Sequence, residues 1–429
     1  METKSVQKGQ SYVLPIAIMF ALFFMIAFVT GYQNPLGSVI KAKSAGSAFM
    51  SQLPTFANFI AYAFMGFPAG MLLQKKGYRV TSLVAVAIGF TGVLVSYLSG
   101  FIEADSPAVI VYLIGAFISG FSMCLLNTVV NPMLNSLGKD ENQGNQLVQF
   151  GGSCNSLGAT LAPTVVGLLM GNVATSIADA NPVFYLAMGI FALAFLVIFF
   201  SKLPESPTLG AEQEQIKASG AFKHMNFTLG VLAIFCYVGI EVGISNLALQ
   251  YMTAEDSTLA VPMSVAGAIV GMYWLFMLVG RLLGGAFGGN VSPRAMLTFV
   301  SIVALALVVG AILLPETILV SVPGFEKSAG FEFIMTELPI NVLLLILCGL
   351  CTSVMWGVIF NLSVSGLGKY TQVASGMFMV MVCGGGILPL IQSAIAGSVG
   401  YLNSFWLIFA LVAYLLFYAL VGSRFKKAE

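Results

Sequence analysis

The chain has 429 residues, of which 58% are hydrophobic and only 8% are charged. Soluble domains carry about 25% charged residues, so these values exclude a soluble globular protein, and the net charge of +1 gives no support for nucleic-acid binding. A mean hydropathy of +0.96 indicates instead a chain that crosses a membrane many times.

Apolar runs separated by charged or turn-rich breaks predict twelve transmembrane helices, because about 20 apolar residues are needed to cross the hydrocarbon core. The first run is too long for a signal-peptide core and is followed by further spans, so we expect it to be retained. The chain is therefore predicted to be an all-α membrane protein. The predicted spans are residues 12–40, 52–74, 80–100, 108–136, 143–171, 182–202, 226–252, 262–289, 294–315, 338–366, 372–399 and 402–422.

Lysine and arginine are distributed unevenly between the loops on the two sides of the predicted bundle. With the N-terminus inside, the outer loops hold only Lys41, Lys43 and Lys327, and the other basic loop residues lie on the inner side. Cytoplasmic loops are enriched in lysine and arginine. Both termini are therefore predicted to be cytoplasmic.

A polar stretch at residues 201–225 divides the predicted spans into six before it and six after it. The two halves share weak repeats, since Asn131 with the Leu-Gly at 137–138 recurs as Asn361 with the Leu-Gly at 367–368. Transporters built from parallel repeats bind substrate at the midplane between the halves and work by alternating access. We predict an N-terminal bundle at 1–202, a cytoplasmic linker at 203–225 and a C-terminal bundle at 226–429.

The segment GMLLQKKGYR, residues 70–79, lies between the second and third predicted spans and resembles the G-x-x-x-D-K/R-x-G-x-K/R loop of the major facilitator superfamily. Gln74 stands where that pattern has Asp, so the negative charge of this position is lost. Arg281 lies in a degenerate equivalent after the eighth span and is predicted to reach headgroups or helix carbonyls near the cytoplasmic end. The resemblance implies a fold of two six-helix bundles and a conformational role for Gly70, Lys75, Gly77, Arg79 and Arg281.

Several stretches are similar to the fucose/glucose–galactose symporter family of bacterial sugar transporters. They are FALFF (20–24), NP (131–132), NSLG (155–158), FCYVG (235–239), GR (280–281) and CGGG (383–386). The resemblance implies uptake of a monosaccharide through the bacterial inner membrane, usually with protons and in some members with sodium. Two acids of the proton-coupled relatives fall on Asn34 and Asn127, and a glutamine falls on Gly152, so the family's proton chemistry does not simply carry over.

The segment FCYVGIEVGISN, residues 235–246, places the carboxyl group of Glu241 in the middle of the seventh predicted span. A charge at a helix centre costs about 2.5–3.5 kcal/mol on insertion scales, and acids within spans usually mark ion or substrate pathways. We therefore interpret Glu241, together with Asn131, as the cation-coupling group. The alternative interpretation is a glutamate that binds sugar or packs against another helix.

Neutral amides on several spans are candidate sugar ligands, because an amide group can both donate and accept hydrogen bonds, as a sugar hydroxyl does. Asn127 and Asn131 are four residues apart and share a helix face. For any single amide, a hydrogen bond between helices is an equally good explanation. The predicted substrate-binding residues are Gln33, Asn34, Asn127, Gln149, Asn155, Asn246, Asn361 and, for stacking on an apolar sugar face, Trp356.

These features favour a secondary active transporter of a neutral monosaccharide, with a hexose as substrate and a proton or a sodium ion as the coupled cation. An uncoupled sugar facilitator, a multidrug exporter and a non-transporting sensor of the same fold are the alternatives. The single histidine and the six cysteines form no catalytic or metal-ligating pattern, so neither an enzyme nor a resident cofactor is expected. We expect a monomer surrounded by membrane lipid.

Overall fold

The computed structural model describes residues 12–43, 48–138, 141–170, 176–205, 218–254, 259, 261–287, 291–326, 332–367 and 371–424. Helices dominate these residues. Helices α1 to α15 occupy Val13–Gly31, Gln33–Lys43, Ala48–Ser51, Leu53–Leu98, Asp105–Leu137, Glu141–Met170, Asn181–Phe200, Met225–Thr253, Met263–Phe287, Pro293–Leu313, Ile340–Thr352, Met355–Val364, Thr371–Met381, Gly384–Val399 and Tyr401–Phe417. Short 3-10 helices lie at Ser99–Phe101, Ile177–Ala180 and Ala218–Lys223, and a π-helical turn lies at Tyr418–Gly422.

Within the described residues, eleven helical segments are long and apolar enough to cross a membrane. One of them contains α4, whose 46 residues would make a straight helix about 69 Å long, more than twice the thickness of the hydrocarbon core. At Gly77 the backbone leaves the helical region, with φ 77° and ψ 179°. Because α4 holds the second and third predicted spans on either side of Gly77, the prediction of twelve spans is confirmed. The loop predicted between these two spans is shorter than expected.

Three predicted spans are each divided into two helices. Tyr32 separates α1 from α2, residues 353–354 separate α11 from α12, and residues 382–383 separate α13 from α14. The last break is closed by local hydrogen bonds, in which the Gly385 and Gly386 amides donate to the carbonyls of residues 382 and 383 at 3.0 Å. Interrupted helices in transporters line substrate and ion sites, and these breaks adjoin two predicted ligands, Gln33 and Trp356.

A β-hairpin joins α10 to α11, in a segment that the sequence predicted to be a loop. Strand β1 (Leu319–Glu326) pairs antiparallel with β2 (Glu332–Pro339). Val322 and Leu338 are buried, and Gly324 packs so closely against Val265 of α9 that an added Cβ would lie 2.9 Å from a Val265 methyl group. The hairpin is an addition to the all-α fold predicted for the spans.

The helices form two bundles, one before and one after the polar linker. Helix α4 packs on α5 and α7 and α1 packs on α6 in the N-terminal half, and α8 packs on α14 and α15 in the C-terminal half. The segment between residues 206 and 217 lies outside the described residues, so the predicted bounds of the linker stay a prediction.

The two halves meet along α6 and α9 in a contact that we call the glycine seam. An added Cβ on Gly267 would lie 2.7 Å from the Pro163 carbonyl oxygen, and one on Gly271 would lie 2.7 Å from the Thr160 carbonyl oxygen. Since real Cβ contacts are longer than this, only glycine lets the two backbones approach so closely at these positions.

A second contact between the halves lies at the end of the bundle opposite the chain termini, which the predicted orientation places outside. We call it the outer end. The Asn246 amide on α8 donates hydrogen bonds to Gln52 Oε1 and Thr55 Oγ1 of the N-terminal half, at 2.9 and 3.1 Å. These hydrogen bonds between the halves close the outer end in this structure. At the opposite, inner end, Gln149 of α6 and Asn361 of α12 are exposed.

Candidate functional site

The segments that resemble the fucose/glucose–galactose family contact one another in pairs. The Asn155 amide on α6 donates to the Phe23 carbonyl of α1 at 3.1 Å, and an added Cβ on Gly158 would lie 2.4 Å from the Phe24 carbonyl oxygen. In the other half, an added Cβ on Gly384 would lie 2.2 Å from the Phe235 carbonyl oxygen. These small residues let helices pack closely in lipid, which positions the polar side chains beside them.

Asn127 on α5 is held by a tyrosine from α4. Its amide nitrogen donates to the Tyr62 hydroxyl at 3.0 Å and to the carbonyl of Met123, one turn earlier, at 3.1 Å. Tyr62 is buried and stacks against Phe59, with ring centroids 6.0 Å apart, whereas Asn127 is only partly buried. Tyr62 therefore holds Asn127, which the sequence predicts to be a ligand. The sequence analysis did not predict this contact.

Glu241 lies on α8 in a cluster of aromatic and charged side chains. Its carboxyl group interacts electrostatically with the Arg281 guanidinium on α9 and with Tyr237, one turn earlier on α8. The Tyr237 ring lies 6.1 Å from the ring of Trp356 on α12, at an interplanar angle of 56°. Glu241 is partly buried, as is Trp356. The cluster thus combines an acid, a base and an aromatic surface within the C-terminal half.

Arg281 also crosses to the N-terminal half. Its Nη1 atom donates to the Gly152 carbonyl and, at 2.8 Å, to Ser156 Oγ, both on α6. Gly152 stands where the family resemblance places a glutamine, and an added Cβ there would lie 3.5 Å from Nη1, in ordinary van der Waals contact with the guanidinium. Arg281 therefore joins the Glu241 cluster to the opposite half through a helix carbonyl.

The remaining predicted amides lie in different surroundings. Gln33 is buried and accepts a hydrogen bond from the Tyr112 hydroxyl at 2.6 Å, and Asn246 belongs to the closed outer end. The Asn131 side-chain amide donates to the backbone carbonyl of Asn127 at 3.0 Å. Gln149 and Asn361 are exposed, and an added Cβ on Gly357 of α12 would lie 3.7 Å from Gln149 Nε2. The side chain of Asn34 lies outside the described residues.

The turn at Gly77 is anchored by the end of α7. The Tyr78 amide donates to Glu205 Oε2 at 3.1 Å, and the Arg79 guanidinium donates to the Phe199 carbonyl. Glu205 thereby supplies a negative charge at the start of the helix that follows Gly77, where a carboxylate stabilises a helix N-terminus. Of the other predicted conformational residues, Lys75 is exposed and an added Cβ on Gly70 would meet nothing within 4 Å.

Sequence reasoning missed the residues that bond to the predicted ones. Tyr62, Gln52, Thr55, Ser156 and Glu205 each hold a predicted site residue or its neighbour in place. The sequence offers a weak signal only for Gln52 and Thr55, which are polar residues at the start of an apolar span.

The family model described as Major Facilitator Superfamily matches residues 18–388 of the chain. The chain belongs to the Major Facilitator Superfamily.

Curated relatives of this superfamily member cover almost its whole length. A putative glucose/galactose transporter from Helicobacter pylori is 30% identical and aligns with 96% of the chain and 98% of its own length. A glucose/galactose transporter from Brucella abortus is 29% identical, over 99% of the chain and 97% of the relative. The resemblance to the fucose/glucose–galactose family predicted from the sequence is thus confirmed.

A solved structure shows the same fold. The fucose:proton symporter FucP from Escherichia coli matches with a TM-score of 0.68 and 20% identity, over 97% of this chain and 100% of that chain. At this identity the likeness shows the fold alone, and it confirms the major facilitator arrangement of two six-helix bundles.

Proposed function

We propose that the protein is a secondary active transporter that takes up a neutral hexose by alternating access. The observation that carries this proposal is the bond between the halves from Arg281, which interacts with Tyr237 beside Trp356, to Ser156, the neighbour of Asn155 in the chain. Amides, Asn127 and Asn155, thus lie in one half and aromatic rings in the other. Amides match sugar hydroxyls, and aromatic rings match the apolar faces of a sugar. The names of the relatives, glucose/galactose transporters, support a sugar as the substrate.

The coupled cation is proposed to act through Glu241, because the acids of proton-coupled relatives are replaced by Asn34 and Asn127. A charged Glu241 attracts the Arg281 guanidinium towards α8. A proton or a sodium ion at Glu241 neutralises this attraction, and Arg281 then donates fully to the Gly152 carbonyl and to Ser156 of the opposite half. Binding of the cation would thereby change the free energy of contact between the two halves.

The test is sugar flux into proteoliposomes that contain the purified protein. Radiolabelled glucose, galactose and fucose are offered with an imposed proton gradient, with an imposed sodium gradient, and with neither. We expect one of the sugars to accumulate against its own concentration gradient when either the proton gradient or the sodium gradient is imposed. Flux that only equilibrates the sugar would indicate an uncoupled facilitator, and flux of none of the sugars would refute the proposed substrate class.

We also propose that the protein is a monomer in the bacterial inner membrane, with both termini in the cytoplasm. A cysteine introduced at Lys202 should react with a membrane-impermeant maleimide only from the inner side, and one at Glu103 only from the outer side. Labelling of both positions from one side would contradict this orientation. Light scattering of the purified protein in detergent measures its oligomeric state.

A further inference from the structure

Both N–H groups of the Asn127 side-chain amide donate hydrogen bonds within the protein. An asparagine amide nitrogen carries two hydrogens, and here one points to the Tyr62 hydroxyl and the other to the Met123 carbonyl. Among the described residues, none of the hydrogen bonds uses the Asn127 carbonyl oxygen, Oδ1. Asn127 is partly exposed, and Oδ1 is the atom of its side-chain amide that is left to bond with a ligand.

The orientation of this amide follows from its backbone partner. A backbone carbonyl accepts hydrogen bonds and cannot donate them. If the amide were turned by 180°, Oδ1 would face the Met123 carbonyl oxygen at about the same 3.1 Å, with no proton between two acceptors. The nitrogen must therefore face Met123, and the buried Tyr62 hydroxyl takes the second hydrogen.

We propose that Tyr62 is a positioning residue that makes Asn127 an acceptor-only ligand, so that the site selects a sugar hydroxyl able to donate a hydrogen bond. This inference rests on the proposed sugar transport. It adds that, in the contact between Asn127 and the sugar, the protein accepts the hydrogen bond and the sugar donates it. Without Tyr62, the second N–H of Asn127 would be free to turn towards the ligand. Asn127 would then accept from a hydroxyl or donate to an acceptor, and the selection would be lost.

A neighbouring amide follows the same rule. The Asn155 amide nitrogen on α6 donates to a backbone carbonyl, that of Phe23, at 3.1 Å. Its orientation is therefore fixed in the same sense, but this bond uses only one of its two N–H groups. Asn155 can thus both accept from and donate to a sugar, whereas Asn127 can only accept.

Deoxy and fluoro analogues of glucose distinguish a donating hydroxyl from an accepting one. Replacing a hydroxyl by hydrogen removes both the donor and the acceptor, whereas fluorine keeps a weak acceptor and removes only the donor. Glucose, its monodeoxy analogues and its monofluoro analogues are measured for binding to the purified full-length protein, by competition with labelled glucose. The variants are Asn127→Leu, Tyr62→Phe and, as matched control, Thr128→Val, whose hydroxyl donates to the Cys124 carbonyl of its own helix.

At one sugar position, the deoxy and the fluoro analogue should both bind about 5- to 150-fold more weakly than glucose, because each leaves Oδ1 without its partner. Asn127→Leu should abolish that difference at this position alone. Tyr62→Phe should narrow the gap between the fluoro analogue and glucose, and Thr128→Val should leave both ratios as in the parent. Size-exclusion profiles and thermal unfolding establish that each variant is folded, and Asn127→Ala replaces Asn127→Leu if the leucine does not fit.

Two results would overturn the inference while leaving sugar transport intact. In the first, the fluoro analogue binds as well as glucose at the position where Asn127→Leu acts, which makes the amide a donor. In the second, no position responds to Asn127→Leu, or Tyr62→Phe changes binding of all analogues by one common factor. Failure of the parent protein to bind glucose, galactose or fucose would instead refute the proposed function itself.

Discussion

Replacing Asn246 by alanine should shift the protein towards a conformation that is open at the outer end. In the closed structure the Asn246 amide donates to Gln52 Oε1 at 2.9 Å and to Thr55 Oγ1 at 3.1 Å, and all three side chains are buried. A buried polar group left without its partner costs about 1–3 kcal/mol. Water can satisfy the same groups once the outer end opens, so this cost falls on the closed state alone. The ratio of open to closed molecules should therefore rise about 5- to 150-fold.

Electron paramagnetic resonance between two spin labels measures this ratio as a distance distribution. Glu103 in the N-terminal half and Thr317 in the C-terminal half are both exposed in loops at the outer end, and cysteines at these positions carry the labels. The partly exposed Cys154 is first replaced by serine. The population at the longer distance should grow in Asn246→Ala.

Gln250→Ala is the matched control for this experiment. Gln250 is also a buried amide on α8, but its Oε1 accepts from Ser393 of the same half, at 3.5 Å. Its removal should leave the distance distribution unchanged. An unchanged distribution in Asn246→Ala, or an equal change in both variants, would refute the reasoning that this cross-half hydrogen bond holds the outer end closed.

Three further predictions concern Glu241, Arg281 and the turn at Gly77, and Gly70→Ala is the control for the last of them. Glu241→Gln should keep sugar exchange across proteoliposomes but lose gradient-driven accumulation, because glutamine stays neutral in every state; undiminished accumulation would show the acid to be structural. Arg281→Lys should also reduce sugar accumulation although the positive charge is kept, since an ammonium group lacks the planar donor geometry of guanidinium. Accumulation at the level of the parent protein would show that this donor geometry has no role in coupling. Gly77→Ala should lower the free energy of unfolding by about 1–3 kcal/mol, because this backbone conformation is strained for any residue with a side chain. Gly70→Ala, inside the helix and with open space around it, should be neutral or stabilising in the same thermal unfolding assay.

The spans of this protein can be predicted from sequence because lipid leaves the backbone few choices. A polar backbone group without a partner is so costly in hydrocarbon that the chain must form helices wherever apolar residues fill the membrane. Helix α8, Met225–Thr253, accordingly differs by one residue at each end from the predicted 226–252.

The hairpin between α10 and α11 was missed because its sequence carries little signal. Phe333, Ile334 and Met335 are consecutive, so apolar and polar residues do not alternate there as in a strand with one buried face. Pro323 also lies inside the other strand and argues against a central strand. A two-stranded sheet has no central strand, and this allows Pro323 to lie in β1.

The partners of the site residues could not be predicted, because they come from distant parts of the chain. Asn127 and Asn246 have the same chemistry and similar apolar neighbours in sequence. The first is held by a tyrosine 65 residues away within its own half, and the second bonds to a glutamine 194 residues away in the other half. Only the packing of the helices decides which amide orients a ligand contact and which closes an end of the bundle.

We expect the two halves to turn against each other about the glycine seam between α6 and α9. Alternating access in this architecture requires one bundle to turn against the other as a nearly rigid body. Where side chains of two helices interdigitate, such a rotation must separate them and so break their packing contacts. At Gly267 and Gly271 there is no side chain to withdraw, and the backbone of α9 rests directly on the carbonyls of Pro163 and Thr160. The seam should therefore oppose rotation of the two halves only weakly. The free energy of rotation then depends mainly on the two ends of the bundle, where hydrogen bonds and ligands form.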